Sequence, residues 1–169
     1  MSSVLFTPQA AWQLAELAPL ADDGLETGGI VLGHDGGLAR PITVTACGGP
    51  GPQAIRRRSY FLRDLGHASA LAEQAVTVDG SAWTGEWHTH NSAMPEPSDR
   101  DLRTYRRLLG DPELAFPRIL AVIVLPGPAA NWHALVAHAW SFTGSVLRQL
   151  PIAGLKASAQ TTPRPGEGS

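Results

Sequence analysis

Residues 86–101 read Glu-Trp-His-Thr-His-Asn-Ser-Ala-Met-Pro-Glu-Pro-Ser-Asp-Arg-Asp, setting two histidines one residue apart, a serine eight positions on and an aspartate three further. These are the donor types of a metal-dependent hydrolase. In an extended strand alternate side chains leave the same face, so His88 and His90 can reach one ion from a single rigid element. Asp101 then supplies a third ligand. Three protein donors of types N, N and O leave the fourth tetrahedral position to water, the arrangement that separates catalytic zinc sites from closed structural ones.

Ser98-Asp99-Arg100-Asp101 after a proline-rich loop is also how a helix starts, with Ser98 as N-cap and acidic residues in the first turn. The two readings are compatible. A helix opening at Ser98 fixes Asp101 in its first turn and aims it at the strand carrying the histidines. Glu86 lies two residues before His88 and so shares its face. It is a candidate general base for water activation, a partner that orients a histidine, or a carboxylate paired with a nearby arginine.

The spacing His88-x-His90, seven residues, Ser98, two residues, Asp101 resembles the signature of the JAB/MPN (JAMM) zinc metallo-isopeptidases, in particular their stand-alone bacterial members. Upstream, Glu26-Thr27-Gly28-Gly29-Ile30-Val31-Leu32-Gly33 matches the family's glutamate at the start of a glycine-rich apolar strand. The resemblance spans roughly residues 5–145. It implies that Glu26 is the general base that takes a proton from water on the zinc and returns it to the leaving amine, and that His88, His90 and Asp101 hold the Zn2+. By the same resemblance Ser98 donates to the oxyanion of the tetrahedral intermediate. Asn91 departs from the family pattern, which commonly has proline after the second histidine, and bears on loop conformation rather than on ligand identity.

The activity implied is zinc-dependent hydrolysis of a peptide or isopeptide bond after the glycine-type C-terminal tail of a ubiquitin-like modifier, by deconjugation or precursor processing. The segment Gly85-Glu86-Trp87-His88-Thr89-His90 resembles bacterial deconjugases that accompany conjugation enzymes in antiphage operons, so the implied partners are a ubiquitin-like protein or its conjugate and those enzymes. Alternatives are a peptidase acting on a sulfur-carrier protein and a non-catalytic MPN-type binding scaffold. Scaffold relatives lose the metal ligands, and this chain keeps them.

With 169 residues and 43% hydrophobic content the chain suits one well-buried core. Thirteen basic and fifteen acidic residues leave a formal charge of −2. That balance points away from nucleic acid and anionic membranes. The one basic run, Arg56-Arg57-Arg58, follows a Gly-Pro loop and reads as a solvated turn. A single cysteine, Cys47, excludes an internal disulfide framework and suits a reducing compartment. Placed after the alternating run Ile42-Thr43-Val44-Thr45-Ala46, it reads as a small buried residue rather than a nucleophile. No signal-like leader and no apolar run of membrane-spanning length is visible, so the expected location is the cytoplasm.

The elements that must position these residues follow from periodicity. Thr7-Pro8 reads as N-cap and first helical position of a helix over 8–20. Strands are predicted near 28–33 and 38–46, joined through Asp35-Gly36-Gly37 as a hairpin, with a short strand at 59–61. Asp64 caps a helix over 65–78, with Leu65, Ala68, Leu71, Ala72 and Ala75 on its buried face. Residues 82–90 form the histidine-bearing strand, with Trp83 and Trp87 on the opposite face. A helix is predicted over 98–109, a strand buried on both faces over 119–125 and a return strand over 132–142. His133 and His138 differ in parity and cannot share a face; they, His34 and His67 are read as packing or surface residues. The fold class is α/β, a single JAB/MPN-like domain over 1–155 with a mixed sheet flanked by helices. Residues 156–169 read as a flexible tail.

Overall fold

The computed structural model describes residues 2–156; most of the tail read from composition, 157–169, lies outside the described residues. An eight-stranded mixed sheet organises the chain. Its strands are β1 (Val4–Phe6), β2 (Gly28–Asp35), β3 (Ile42–Cys47), β6 (Ala82–Thr89), β7 (Ile119–Gly127), β8 (Asn131–Phe142), β9 (Leu147–Leu150) and β10 (Ile152–Ala153). They lie in the order β10-β1-β3-β2-β6-β7-β8-β9. A separate hairpin pairs β4 (Ile55–Arg57) with β5 (Tyr60–Leu62). The α/β class is as expected, and the 28–33 and 38–46 segments do pair antiparallel, although β3 starts only at Ile42.

Helices cover both faces. The first, α1 (Pro8–Leu17), starts at Thr7, whose hydroxyl accepts the Ala10 N–H, and buries Ala10 and Leu14 against Val31, Val44, Trp87 and Val122. On the other face lie α2 (Leu65–Asp79), capped by Asp64, and α3 (Asp99–Leu109), capped by Ser98. α3 drives Tyr105 and Leu108 against Ile119, Ala121, Ile123 and Phe142. Ala68 of α2 is buried, but Leu65 at its first turn is 56% exposed, contrary to its expected place on the buried face. Ala68, Leu71, Ala72 and Ala75 pack over Ile30 and Leu32 of β2 and Trp83 of β6, and Leu65 in the first turn stands outside that cluster.

β6 and β7 run parallel, joined through α3, and β7 is an interior strand buried on both faces over 119–124. The carboxyl end of β6 therefore meets the start of its crossover helix. This is where open α/β sheets place ligands.

One expectation fails informatively. Trp87 packs with α1, but Trp83 packs with Phe116 and Ile30 on the face that carries the histidines. The pairing jumps from Val31 opposite Gly85 to Leu32 opposite Trp83, leaving Thr84 as an extra residue. Such a bulge exchanges the two faces for every residue before it.

Cys47 is buried at the end of β3, and burial alone pushes its thiol up to about 12. That is the opposite of an activated nucleophile. No helix among the described residues is long and apolar enough to cross a membrane.

Candidate metal centre

His88, near the end of β6, and His90, one residue past it, project from one face. Their Nε2 atoms lie 3.0 Å apart. Asp101, in the first turn of α3, brings Oδ2 to 3.2 Å from His88 Nε2 and 3.5 Å from His90 Nε2. Four-coordinate zinc with nitrogen and oxygen ligands at about 2.0–2.2 Å sets its donors about 3.3 Å apart. The three residues thus fit a tetrahedral cation.

Two of the donors are fixed from behind. His90 Nδ1–H donates to the Met94 carbonyl at 2.9 Å, which leaves the Nε2 lone pair facing inward. The loop making that contact is held by Trp140, whose indole N–H donates to the Pro95 carbonyl at 2.8 Å. Asp101 Oδ2 accepts the Ser98 N–H at 2.7 Å and the Ser98 hydroxyl at 2.8 Å, while the Asp101 N–H donates back to Ser98 Oγ at 3.2 Å. This reciprocal pair is a capping box with aspartate in place of the usual glutamate. One carboxylate oxygen serves the helix start and the donor cluster together. Burial alone would raise the Asp101 pKa; hydrogen bonds from both imidazoles and from Ser98 override it and hold the carboxyl far below the usual range. Burial likewise opposes the charged form of His90, and Asp101 and the Met94 carbonyl raise its pKa in spite of it.

Beside the donors lies a cavity of about 160 Å³, lined by Glu26, Ser59, Tyr60, His90, Ser98, Arg100 and Asp101 among others. Glu26 is 7% exposed, and its burial pushes the carboxyl up to about 7, with His90 and Arg100 pulling down and Asp101 pushing up. A larger hollow of about 420 Å³ beside Asn91, Arg58 and Trp132 holds none of the three donors.

Glu26 precedes β2 and is placed by backbone contacts on three sides. The following residue, Thr27, is stitched to Thr89, which sits between the histidines: the Thr27 N–H donates to Thr89 Oγ1 at 2.9 Å and the Thr89 N–H to the Thr27 carbonyl at 2.8 Å. Next along, Gly28 pairs with His88, and a Cβ at this position would stand 2.7 Å from His88 Cβ and 2.8 Å from Phe61. Only glycine allows that approach. On the other side the Glu26 N–H donates to the Arg57 carbonyl at 2.8 Å.

Arg57 and Arg58 are exposed and Arg58 lies in a turn, as expected of the basic run, but Arg56 and Arg57 belong to β4 and Arg56 is half-buried. The Arg56 guanidinium donates to the carbonyls of Leu20, Leu25 and Glu26 and pairs with Asp23 at 2.9 Å. It clamps the segment that delivers Glu26. A second clamp is Asn91: its side-chain amide donates to the Gly24 and Arg58 carbonyls, each at 2.8 Å. The residue where the family pattern has proline thus ties the histidine loop to both arms that flank Glu26.

Glu86 does share the histidine face, as strand alternation predicts, but it forms a buried ion pair with Arg63. Arg63 stacks 5.5 Å over the Trp83 ring, and burial lowers its pKa to about 10, so it stays charged at neutral pH. Among the described residues His88, His90 and Asp101 form the group able to hold a metal, and His34, His67, His133 and His138 are not in it.

Three comparisons bear on what this arrangement belongs to. A solved structure, the solution structure of protein DSY2949 from Desulfitobacterium hafniense, matches 91% of this chain and 93% of its own with a TM-score of 0.63 at 20% identity, a likeness of fold alone. A curated relative from Sinorhizobium fredii (strain NBRC 101917 / NGR234), named probable metalloprotease y4qB, is 34% identical over 121 residues, 69% of this chain and 70% of that protein. Residues 10–142 match the family described as prokaryotic homologs of the JAB domain, a stretch that takes in Glu26, both histidines, Ser98 and Asp101. The chain belongs to that family.

Proposed function

We propose that this protein is a zinc-dependent protease that hydrolyses a peptide or isopeptide bond after the glycine-type tail of a ubiquitin-like modifier. The observation that carries the chemistry is the convergence of three donor atoms beside a cavity that also holds a buried carboxyl, Glu26. The name of the Sinorhizobium relative agrees with a metalloprotease, and the modifier substrate follows from the motif resemblance. His88, His90 and Asp101 would hold the Zn2+, which when bound supplies a Lewis acid that lowers the pKa of water to about 7 and polarises the scissile carbonyl.

The chain's own residues do the rest. Glu26 takes the proton from attacking water on its carboxylate and returns it to the departing amine, a task suited to a carboxyl with a pKa near neutrality. Ser98 stabilises the developing oxyanion through its hydroxyl. That hydroxyl spends its proton on Asp101 Oδ2 in the resting site, but Oδ2 keeps the Ser98 N–H, so the hydroxyl can turn to the substrate without stranding the carboxylate. A substrate tail ending in glycine suits a narrow cavity walled by Tyr60 and Arg100.

The test uses the zinc-loaded protein and linear fusions of ubiquitin-like proteins to a reporter, read by mass spectrometry. Cleavage directly after the modifier's last glycine, lost in Glu26→Gln with metal content unchanged, is the expected result. Full turnover by Glu26→Gln, or cleavage with no regard to the glycine tail, overturns it.

A further inference from the structure

The cavity does not end at Arg100. A groove of about 370 Å³, lined by Tyr60, Arg100, Arg103, Thr104 and Arg107, shares Tyr60 and Arg100 with the cavity and continues it along α3. Arg100 lies 4.7 Å over the Tyr60 ring, so its charge is held at the junction. Among the described residues none of Arg100, Arg103 and Arg107 forms an ion pair, although the chain as a whole carries a net charge of −2. Positions three and four apart share a helix face. Unpaired guanidiniums in a row, opening into a hydrolytic cavity, are arranged to receive carboxylates, which arginine grips with two parallel hydrogen bonds.

We propose that this groove binds an acidic segment of the protein cleaved at the neighbouring site, so that substrates are selected by carboxylates lying along α3 as well as by the residue cut. The inference rests on the hydrolytic reading above. Spacing favours an extended chain. Arg103 and Arg107 stand about 6 Å apart along the helix axis, and an extended peptide repeats side chains on one face about every 6.6–6.8 Å. Acidic residues at alternate positions therefore meet Arg103 and Arg107, the pair the charge reversal below removes.

A binding measurement tests this independently of turnover. Fluorescein-labelled hexaglutamate, hexaglutamine and hexathymidylate are titrated against the full chain by fluorescence anisotropy at low and physiological salt. Hexaglutamate should bind more tightly than hexaglutamine and at least as tightly as the oligonucleotide, with affinity falling as salt rises. Arg103→Glu with Arg107→Glu should weaken it about tenfold or more, whereas Arg40→Glu with Arg148→Glu, an equal change of charge on other exposed arginines, should leave it within about twofold. Equal loss in both double variants, no preference for glutamate, or tighter binding of the oligonucleotide overturns the proposal. Chelating the metal removes hydrolysis but should leave this binding intact, so failure of either reading is seen separately.

Discussion

Thr27 and Thr89, both fully buried and neither lining the cavity, exchange the hydrogen bonds that set the Glu26 segment against the strand end carrying the histidines. Thr89→Val keeps the shape and removes the hydroxyl, leaving the Thr27 N–H without its partner at a cost of about 1–3 kcal/mol. Melting temperature should fall accordingly. Because the donor cluster is untouched, metal content should hold, while kcat drops about 10- to 100-fold through displacement of Glu26. Loss of metal instead would show that the threonine pair positions His88 and His90.

Glu26 links activity to stability through pH. Burial raises its carboxyl to about 7, above the ordinary glutamate value, so the folded state binds a proton that the unfolded chain has released. Stability of the metal-free protein should therefore fall as pH rises from about 4.3 to 7. Glu26→Gln abolishes that loss. Melting scans should find the variant more stable than wild type at pH 8 and little different at pH 4; equal differences at both would mean the carboxyl is not held neutral by the fold.

His88→Ala and Asp101→Ala should both lose metal and activity, yet differ in the metal-free state. Asp101 also accepts the Ser98 N–H, so its removal should cost the α3 start about 0.5–2 kcal/mol, whereas His88→Ala leaves the cap intact. Hydrogen exchange over residues 98–102 reads the difference. Metal retained in Asp101→Ala would place the third ligand elsewhere.

Glu86 and Arg63 form a buried pair, and removing one partner strands the other's charge. Glu86→Gln should cost about 3–5 kcal/mol, and combining it with Arg63→Met should recover most of that loss. Turnover by the folded fraction should persist. A folded, metal-loaded Glu86→Gln without activity would move the base role from Glu26 to Glu86.

The donor cluster was legible because both of its devices are local: period-two alternation aligns His88 with His90, and the Ser98–Asp101 spacing is that of a helix cap. Glu26 follows only from family resemblance, since nothing local announces a carboxylate that must meet His88 and His90 from a distant stretch of the chain. Trp83 changes face because the bulge at Thr84 breaks the parity on which period-two reading depends; Gly85 beside it is the kind of residue that marks a bulge, but a strand glycine does not say how many residues are inserted. Arg56 differs from its neighbours for a reason outside the run: its guanidinium reaches the Leu20, Leu25 and Glu26 carbonyls, about 30 or more residues earlier in the chain, while Arg57 and Arg58 stay exposed. The strands β1, β9 and β10, two to four residues each, are too short to carry a period.

Asn91 gives the cleft a property that a proline there could not. A pyrrolidine ring stiffens only its own link in the chain, permanently. An exposed amide holding two carbonyls is a tie for which water competes, so the histidine loop is joined reversibly to arms that the Arg56 guanidinium and the Glu26–Arg57 hydrogen bond already keep together.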